Sequence, residues 1–340
     1  AFFLILGFLF YAKIGKLLGF KETDTAMGLF SGGTILVPLG LSYYTFSSVG
    51  YLLDLYWKKA KCERDYFRLI VCMTYFPHIV QGPIGRYDKL LKQFAALPGF
   101  SYERVCAGLI RMLWGFIKKM VIADRLALFT RTVFASPGEF AGFEIFLAVS
   151  LCAVELYADF SGCMDIVIGA AETMGITLDE NFKRPFFSKS AAEFWRRWHM
   201  TLGAWFKDYV YMPVAMSPRF MKTCVNFRKK HGNRAGQIFS SAIPLAIVWL
   251  LTGLWHGTGA DYVVWGIYWG AVIILGTVLT PEFKKLTTKL ALNTESFGYQ
   301  FFQMARIYFL FVIGRMFTVT GSLEGFGKLV TGLFKEHRLW

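Results

Sequence analysis

The chain has 340 residues, of which 55% are hydrophobic and 18% are charged. A soluble domain carries about 25% charged residues, whereas here the charges cluster between apolar runs close to the roughly 20 residues that cross a bilayer. The net charge of +14 fits Lys and Arg collected in cytoplasmic loops, so we do not expect nucleic-acid binding. Composition therefore predicts an all-α, polytopic integral membrane protein that forms one helical bundle.

Apolar stretches follow one another along the chain and predict seven or eight membrane segments. The stretches are 2–18, 29–55, 67–80, 105–123, 143–174, 243–255, 263–279 and 301–319. Stretch 67–80 is short and contains Pro77, which makes it a candidate re-entrant piece. We treat residues 1–340 as a single membrane domain. Because the sequence begins at Ala1 and not at a methionine, we expect native N-terminal residues to be missing. Whether residues after Trp340 are missing as well stays open.

Residues 179–240 form one long polar region that contains twelve Lys or Arg residues. Such an excess of cations predicts a cytoplasmic location, and the basic loop 58–68 should lie on the same side. Within this region, apolar and polar residues alternate at helical spacing over 191–211. Ser190 and Glu193 have the spacing of a capping box. We therefore expect an amphipathic helix at the cytoplasmic face.

His256 is the strongest candidate for chemistry among the five histidines. It closes an apolar run and is followed by Gly257, so that other groups can approach closely. Ionisable side chains at membrane depth are costly and usually functional, and a neutral imidazole is a good general base. A capping or interfacial histidine is the alternative. His199 by itself fits an interfacial residue better, whereas His231 and His337 fit solvated side chains and His78 fits either a structural or a cavity-lining role.

Three carboxylates lie in or beside the apolar stretch 143–174, namely Glu155, Asp159 and Asp165. Buried carboxylates need a cationic or hydrogen-bonding partner, and we expect Arg196 or Arg197 to supply it in a structural ion pair. The six cysteines form no CxxC pair, so we predict neither a metal site nor a disulfide framework. The sequence also lacks the GxSxG, Walker A and HExxH motifs.

Seven segments in order resemble one family, the membrane-bound O-acyltransferases, and within it the bacterial branch that acetylates alginate or transfers D-alanine to teichoic acid. Each segment is weak alone, but the ordered set is specific. The segments are LVPLGLSYYTF (36–46), FPHIVQGPIGRY (76–87), DFSG (159–162), ENF (180–182), FWRRWHMTL (194–202), WFKDY (205–209) and GLWHG (253–257).

The resemblance implies that His256 is the principal catalytic residue and that His199 is the second. It implies a ring-like helical bundle with a central tunnel, which an acyl donor enters from the cytoplasm and an acceptor from outside. Donor phosphates could be held by Arg196, Arg197 and Lys207. The residues that we assign to substrate or donor binding are Arg196, Arg197, Trp198, Lys207, Asp208, Trp255, Asn181, Asp159 and Arg86.

The function implied is transfer of an acyl group, acetyl first, from a cytoplasmic thioester to hydroxyls of an extracellular or cell-wall polysaccharide. Acetyl-CoA is the expected donor, with an acyl-carrier protein as the other option, and we expect no bound cofactor. A second protein outside the cell could complete the transfer. D-alanyl transfer to teichoic acid is the alternative, and a transporter without a covalent step is the alternative of another class.

One departure from the family pattern concerns the segment after WFKDY. Relatives of the alginate type place a short Gly-Gly-Asn-Arg turn there. In this chain Tyr211 leads into residues 212–218 and a longer basic stretch, and Gly232-Asn233-Arg234 follows only afterwards. This difference leaves the chemistry unchanged but puts the acceptor in doubt.

Overall fold

The computed structural model describes residues 40–79, 81–140, 142–257 and 259–335. The predicted stretch 2–18, the beginning of stretch 29–55 and His337 lie outside the described residues. Across the described part of the chain the regular structure is helical, apart from one isolated β-bridge between Phe182 and Trp198. The all-α prediction is therefore confirmed.

The described residues of the first half of the chain form seven α-helices and one π-helical turn. They are α1 (Leu41–Tyr56), α2 (Tyr66–Met73), α3 (Phe76–Ile79), α4 (Tyr87–Ala95), α5 (Tyr102–Phe116), the π-helical turn Ile117–Ala123, α6 (Asp124–Ala135) and α7 (Gly142–Thr173).

In the second half, the residues that the structure describes form eight more α-helices, one 3₁₀ turn and a second π-helical turn. They are the 3₁₀ turn Pro185–Phe187, α8 (Ala191–Arg197), α9 (Met200–Phe206), the π-helical turn Lys207–Tyr211, α10 (Met212–Ala215), α11 (Pro218–His231), α12 (Asn233–His256), α13 (Ala260–Lys289), α14 (Phe297–Val319) and α15 (Leu323–Leu333).

The chain divides into two compact units, and the boundary passes through α7. Unit 1 contains residues 1–123 and 157–181, and unit 2 contains residues 124–156 and 182–340. In unit 1 the stretch 67–80 forms the short helices α2 and α3. Helix α2 has 8 residues and is about 12 Å long, too short to cross a bilayer core of about 30 Å as a helix.

Glycines allow α5 and α7 to pack closely in unit 1. A Cβ on Gly115 would lie 2.6 Å from the carbonyl oxygen of Gly162, and one on Gly108 would lie 2.6 Å from that of Gly169. Both contacts are far below a normal van der Waals distance. The pairs have the same spacing of seven residues on each helix, so the two backbones touch over two turns.

The carboxylates of α7 pair with cations of α5 and of the π-helical turn that follows it. Asp165 accepts from Lys118 at 2.5 Å and from Arg111 at 3.1 Å, and Asp159 pairs with Lys119 at 2.6 Å. In unit 2 Glu155 accepts a hydrogen bond from the hydroxyl of Thr130.

The expectation that Arg196 or Arg197 would supply the partner for these carboxylates was therefore wrong. Arg197 pairs instead with Glu193 of its own helix at 2.6 Å. The sequence could not show that α5 and the π-helical turn after it would present Arg111, Lys118 and Lys119 to α7.

Helices α12, α13 and α14 of unit 2 are, among the described residues, those long and apolar enough to span a membrane. Helix α12 has 24 residues and is about 36 Å long, which exceeds the hydrocarbon core. Helices α12 and α13 touch at glycines: a Cβ on Gly253 would lie 2.5 Å from the carbonyl oxygen of Tyr262, and one on Gly266 would lie 2.6 Å from that of Trp249.

The start of α12 also contacts the last part of α13, since Arg234 pairs with Glu282 at 3.0 Å. The start of α12 and the end of α13 therefore lie at one end of unit 2. This end carries the basic helix α11, which packs through Phe220 and Phe227 against Phe239 of α12.

The stretch 191–211 does not form the single surface helix that its pattern predicts. It is split into α8, α9 and a π-helical turn, because Trp198 leaves helical geometry and His199 adopts a left-handed conformation with φ 47°. Phe194 and Trp205 of this stretch are buried in the protein. Aromatic periodicity cannot distinguish a lipid-facing stripe from one that packs against other aromatic residues.

We expect Gly115→Ala to destabilise the protein. The added methyl must push apart α5 and α7, and overpacking of this kind costs about 1–3 kcal/mol. The matched control is Gly276→Ala in α13, because no atom lies within 4 Å of a Cβ at that helical position. The thermal unfolding midpoint of each variant is measured in detergent, with size-exclusion chromatography used to detect the folded fraction. Equal midpoints for both variants would contradict the tight helix contact.

Candidate active site

His199 lies between α8 and α9 in a left-handed backbone conformation, with φ 47° and ψ 53°. A residue with a Cβ pays about 1–3 kcal/mol for such a conformation, and strained residues of this kind cluster at functional sites. The side chain is buried, with 4% of its surface exposed. The sequence by itself favoured an interfacial residue here, whereas the structure packs the His199 side chain inside the protein.

Helix α8 is held firmly at both ends. At its start the hydroxyl of Ser190 accepts from the backbone N–H of Glu193 at 3.1 Å, as the capping box predicts, and the Glu193 carboxylate accepts from the N–H of Lys189 at 2.9 Å. At its end the backbone N–H of Lys183 donates to the carbonyl of Arg197 at 2.9 Å. The direction in which the chain leaves α8 toward His199 is therefore fixed.

Aromatic packing anchors the same helix from within unit 2. The indole of Trp198 packs against Phe194 and Phe311, with ring centroids at 5.5 Å and 4.9 Å. The indole of Trp195 contacts Trp249 of α12 at 4.7 Å and Trp269 of α13 at 4.9 Å. These contacts connect Trp195 and Trp198, just before His199, to the three helices α12, α13 and α14.

His256 is the last residue of α12 and is exposed in the structure. Its ring contacts the ring of Trp265 on α13 at 5.1 Å and that of Trp255 at 4.6 Å. Helix α12 ends there because Gly257 leaves helical geometry. A Cβ on Gly257 would also clash with the ring of Tyr262, so the glycine is required for the chain to turn into α13.

The indole of Trp255 contacts both histidines. Its ring lies 6.2 Å from that of His199 and 4.6 Å from that of His256, both in edge-on arrangements. The two histidines are far apart in the sequence, yet they are close enough for the charge of one to affect the other. The structure therefore brings the two predicted catalytic residues into one site.

Burial makes His199 a neutral imidazole. Its removal from water, together with the neighbouring His256, lowers the pKa of His199 from its ordinary 6.5 to about 3. Desolvation acts in this direction because it disfavours the charged form. At neutral pH His199 carries one ring N–H and one ring nitrogen that can accept, so it can donate or accept a hydrogen bond but does not act as a cation.

The other predicted binding residues of unit 2 divide by exposure. Trp198 is buried and Trp255 is half-buried. Arg196 and Lys207 are exposed, and Asp208 is half-buried. Arg196, Lys207 and Asp208 lie on, or directly after, the two short helices that flank His199. Arg197 lies there too and is held by Glu193. Cations at these positions are available to phosphate or carboxylate groups.

Three predicted binding residues belong to unit 1. Asn181 is fully buried and donates to the sulfur of Met164 at 3.2 Å. Asp159 is held in its pair with Lys119, and Arg86 immediately precedes α4. The side chain of His78 lies outside the described residues, and His231 is an exposed residue at the end of α11.

Two residues of α13 beside His256 were missed by the sequence analysis. Trp265 contacts the His256 ring, and Asp261 is buried one helical turn before it. A signal for Trp265 existed, since Trp-Gly recurs at residues 265 and 269 with the four-residue spacing that places both on one helix face. For Asp261 no comparable pattern is present.

Comparison with known proteins identifies the family. Residues 65–227 match the model of MBOAT, the membrane-bound O-acyltransferase family. The chain is 31% identical over 332 residues to a probable alginate O-acetylase AlgI of Pseudomonas syringae pv. tomato, an alignment that covers 97% of the chain and 58% of that relative.

Relatives with other acceptors are also similar. A peptidoglycan O-acetyltransferase of Helicobacter pylori is 27% identical over 79% of the chain and 54% of its own length. A teichoic acid D-alanyltransferase of Bacillus subtilis is 30% identical over 68% of the chain and 56% of its own length. The chain thus spans little more than half the length of these relatives. On the family model, these relatives and the paired histidines, the chain belongs to the membrane-bound O-acyltransferase family.

Proposed function

We propose that the protein is a membrane O-acyltransferase that moves an acyl group from a thioester to a hydroxyl of a polysaccharide. The observation that carries this proposal is the contact of the Trp255 indole with both His199 and His256. Two imidazoles in one site, one buried and one exposed, supply the proton transfer and the hydrogen bonding that acyl transfer requires.

In the proposed reaction His256 removes the proton of the acceptor hydroxyl. The hydroxyl oxygen attacks the thioester carbonyl and forms a tetrahedral intermediate. Its collapse breaks the carbon–sulfur bond, and the thiolate that leaves takes the proton from His256. The products are an ester on the acceptor and a free thiol, and His256 returns to its neutral form. Its exposure is compatible with this role, because a general base must reach the acceptor.

His199 acts as a neutral partner in this proposal. Because its pKa is lowered to about 3, it is uncharged at neutral pH. A ring N–H held on a strained, well-packed backbone can hydrogen-bond a substrate or the oxygen that becomes negative during attack, at no reorganisation cost. Exposed Arg196 and Lys207 are placed to bind anionic groups of the donor.

Acetyl is the acyl group that we favour, with acetyl-CoA or an acyl-carrier protein as donor. The alginate O-acetylase relative aligns with 97% of the chain, whereas the teichoic acid D-alanyltransferase aligns with 68%. Acetylation of an exported or cell-wall polysaccharide follows, either directly or through a partner protein outside the cell. D-alanyl transfer to teichoic acid is the second candidate, and a transporter without chemistry is disfavoured by the paired histidines.

The protein is proposed to be a multi-pass protein of the cell membrane. Helices α12, α13 and α14 cross in alternating directions, since each begins within a few residues of the end of the one before. The end of unit 2 that holds α11, Arg234 and the last turns of α13 is the basic one, so we place this end in the cytoplasm.

We expect His256→Ala to lower acyl transfer by at least about 100-fold, because a positioned general base contributes roughly 10²–10⁴ to the rate. The assay counts label transferred from radioactive acetyl-CoA to polysaccharide in membranes that contain matched amounts of each variant. His231→Ala, another exposed histidine of unit 2, is the control and should keep full activity. His199→Ala should also lose activity.

The same assay separates the candidates. Transfer of D-alanine but not of acetyl by the wild type would establish the second candidate. Label that persists in His256→Ala would overturn the proposed base.

We expect the stability of the wild type to fall more steeply with acidification than that of His199→Gln. The unfolded chain protonates His199 near pH 6.5, whereas the folded chain resists protonation down to about pH 3. Between these values the unfolded state binds more protons, so acid favours unfolding by up to about 1.4 kcal/mol per pH unit. Unfolding midpoints at pH 7.5 and pH 5 measure this, and parallel losses in both proteins would exclude a buried neutral imidazole.

Cysteine labelling in intact cells tests the proposed sidedness. In a background without the six native cysteines, Lys230→Cys on α11 should react with a membrane-impermeant maleimide only after permeabilisation. Glu324→Cys on α15, three crossings further along the chain and well exposed, should react without it. The reverse pattern would invert the orientation.

A further inference from the structure

Asp261 is a buried carboxylate near the start of α13, five residues after the proposed base His256, and the proposed mechanism gives it no role. Only 3% of its surface is exposed, and within the described part of the chain its Oδ2 atom has no hydrogen-bond partner. Among the same residues no Lys, Arg or His forms an ion pair with it. A buried carboxylate oxygen left unsatisfied is costly and calls for a specific explanation.

The surroundings of Asp261 place it at the site. It is the second residue of α13, five residues after His256, and the ring of Trp265 that contacts His256 lies one helical turn further along the same face. A Cβ on Gly259 would clash with Oδ1 of Asp261. The carboxylate therefore packs directly against the short loop that follows His256.

Helix geometry alone does not account for this carboxylate. An acidic residue in the first turn of a helix interacts favourably with the helix dipole, and this explains why a carboxylate is tolerated there. It does not explain why the side chain is buried with one oxygen unsatisfied. Asp88 has the same second position in α4 and is exposed, so it shows the ordinary use of such a residue.

We propose, on the basis of the proposed acyl transfer, that Asp261 is a substrate-binding residue whose Oδ2 accepts a hydrogen bond from a substrate O–H or N–H group. Two substrate groups can donate this hydrogen bond. One is a hydroxyl of the acceptor sugar, and the other is an amide N–H in the arm of the thioester donor. In either case the substrate completes the hydrogen bonding of a carboxylate that the protein leaves incomplete.

Asp261→Asn tests the assignment, because it keeps the shape and removes the charge. The full chain is reconstituted in nanodiscs, and two quantities are measured for wild type, Asp261→Asn and the control Asp88→Asn. They are the unfolding midpoint without substrate and the kinetics of transfer from acetyl-CoA to de-acetylated alginate oligosaccharides. We expect Asp261→Asn to unfold at the wild-type midpoint or above, while kcat/KM falls at least tenfold. Asp88→Asn should retain wild-type activity.

The Michaelis constants identify the source of the hydrogen bond. A rise of at least fivefold in KM for the oligosaccharide alone assigns it to the acceptor hydroxyl, and the same rise for acetyl-CoA alone assigns it to the donor amide. A lower unfolding midpoint together with lower activity in Asp261→Asn would show a structural role and overturn the proposal. Activity of Asp261→Asn within twofold of wild type would also overturn it.

A binding measurement keeps the test separate from the proposed function. If the wild type transfers no acetyl group, the unfolding midpoint is measured with added coenzyme A or oligosaccharide. A midpoint raised in wild type but not in Asp261→Asn supports the binding role even then. Equal responses of the two proteins to both probes overturn it.

Discussion

The close approach of α12 and α13 at Gly253 and Gly266 is the constraint on which the candidate site depends. Each glycine lies against a carbonyl oxygen of the other helix, at a distance that admits no side chain. Because the backbones touch there, Trp265 of α13 reaches the ring of His256, and the following loop turns within a few residues. A larger residue at either position would separate the helix that carries the base from the helix that supports it.

A cluster of aromatic rings extends this constraint to the second histidine. Trp195 packs against Trp249 and Trp269, one on each of the two helices. Helix α8 therefore packs against both α12 and α13. Its end places His199, in a strained backbone conformation, next to the indole of Trp255. The strain is tolerated because buried aromatic surface, at about 25 cal/mol per Å², outweighs a local backbone cost of a few kcal/mol.

The electrostatic character of the site follows from the same packing. Burial keeps His199 neutral, while the cations of α8 and of the following π-helical turn stay near solvent. The proposed acyl transfer uses this separation, because the imidazole stays neutral in a partly dry environment and the cations remain available to an anionic donor. In unit 1, by contrast, the charges of α5 and α7 satisfy one another in ion pairs, so they serve packing.

The sequence alone determined the class of the protein. Apolar runs of bilayer length predicted α12, α13 and α14, because hydrophobic length is a property of the chain itself. Glycine and histidine in GLWHG marked the end of α12, and the ordered motifs indicated the family. Only the tertiary structure decided that the helix predicted over 191–211 breaks at His199, that the acids of α7 pair with cations of α5 and of the turn after it, and that Asp261 is buried. Each of these depends on which surfaces meet, and periodicity along one segment does not identify the partner that will cover it.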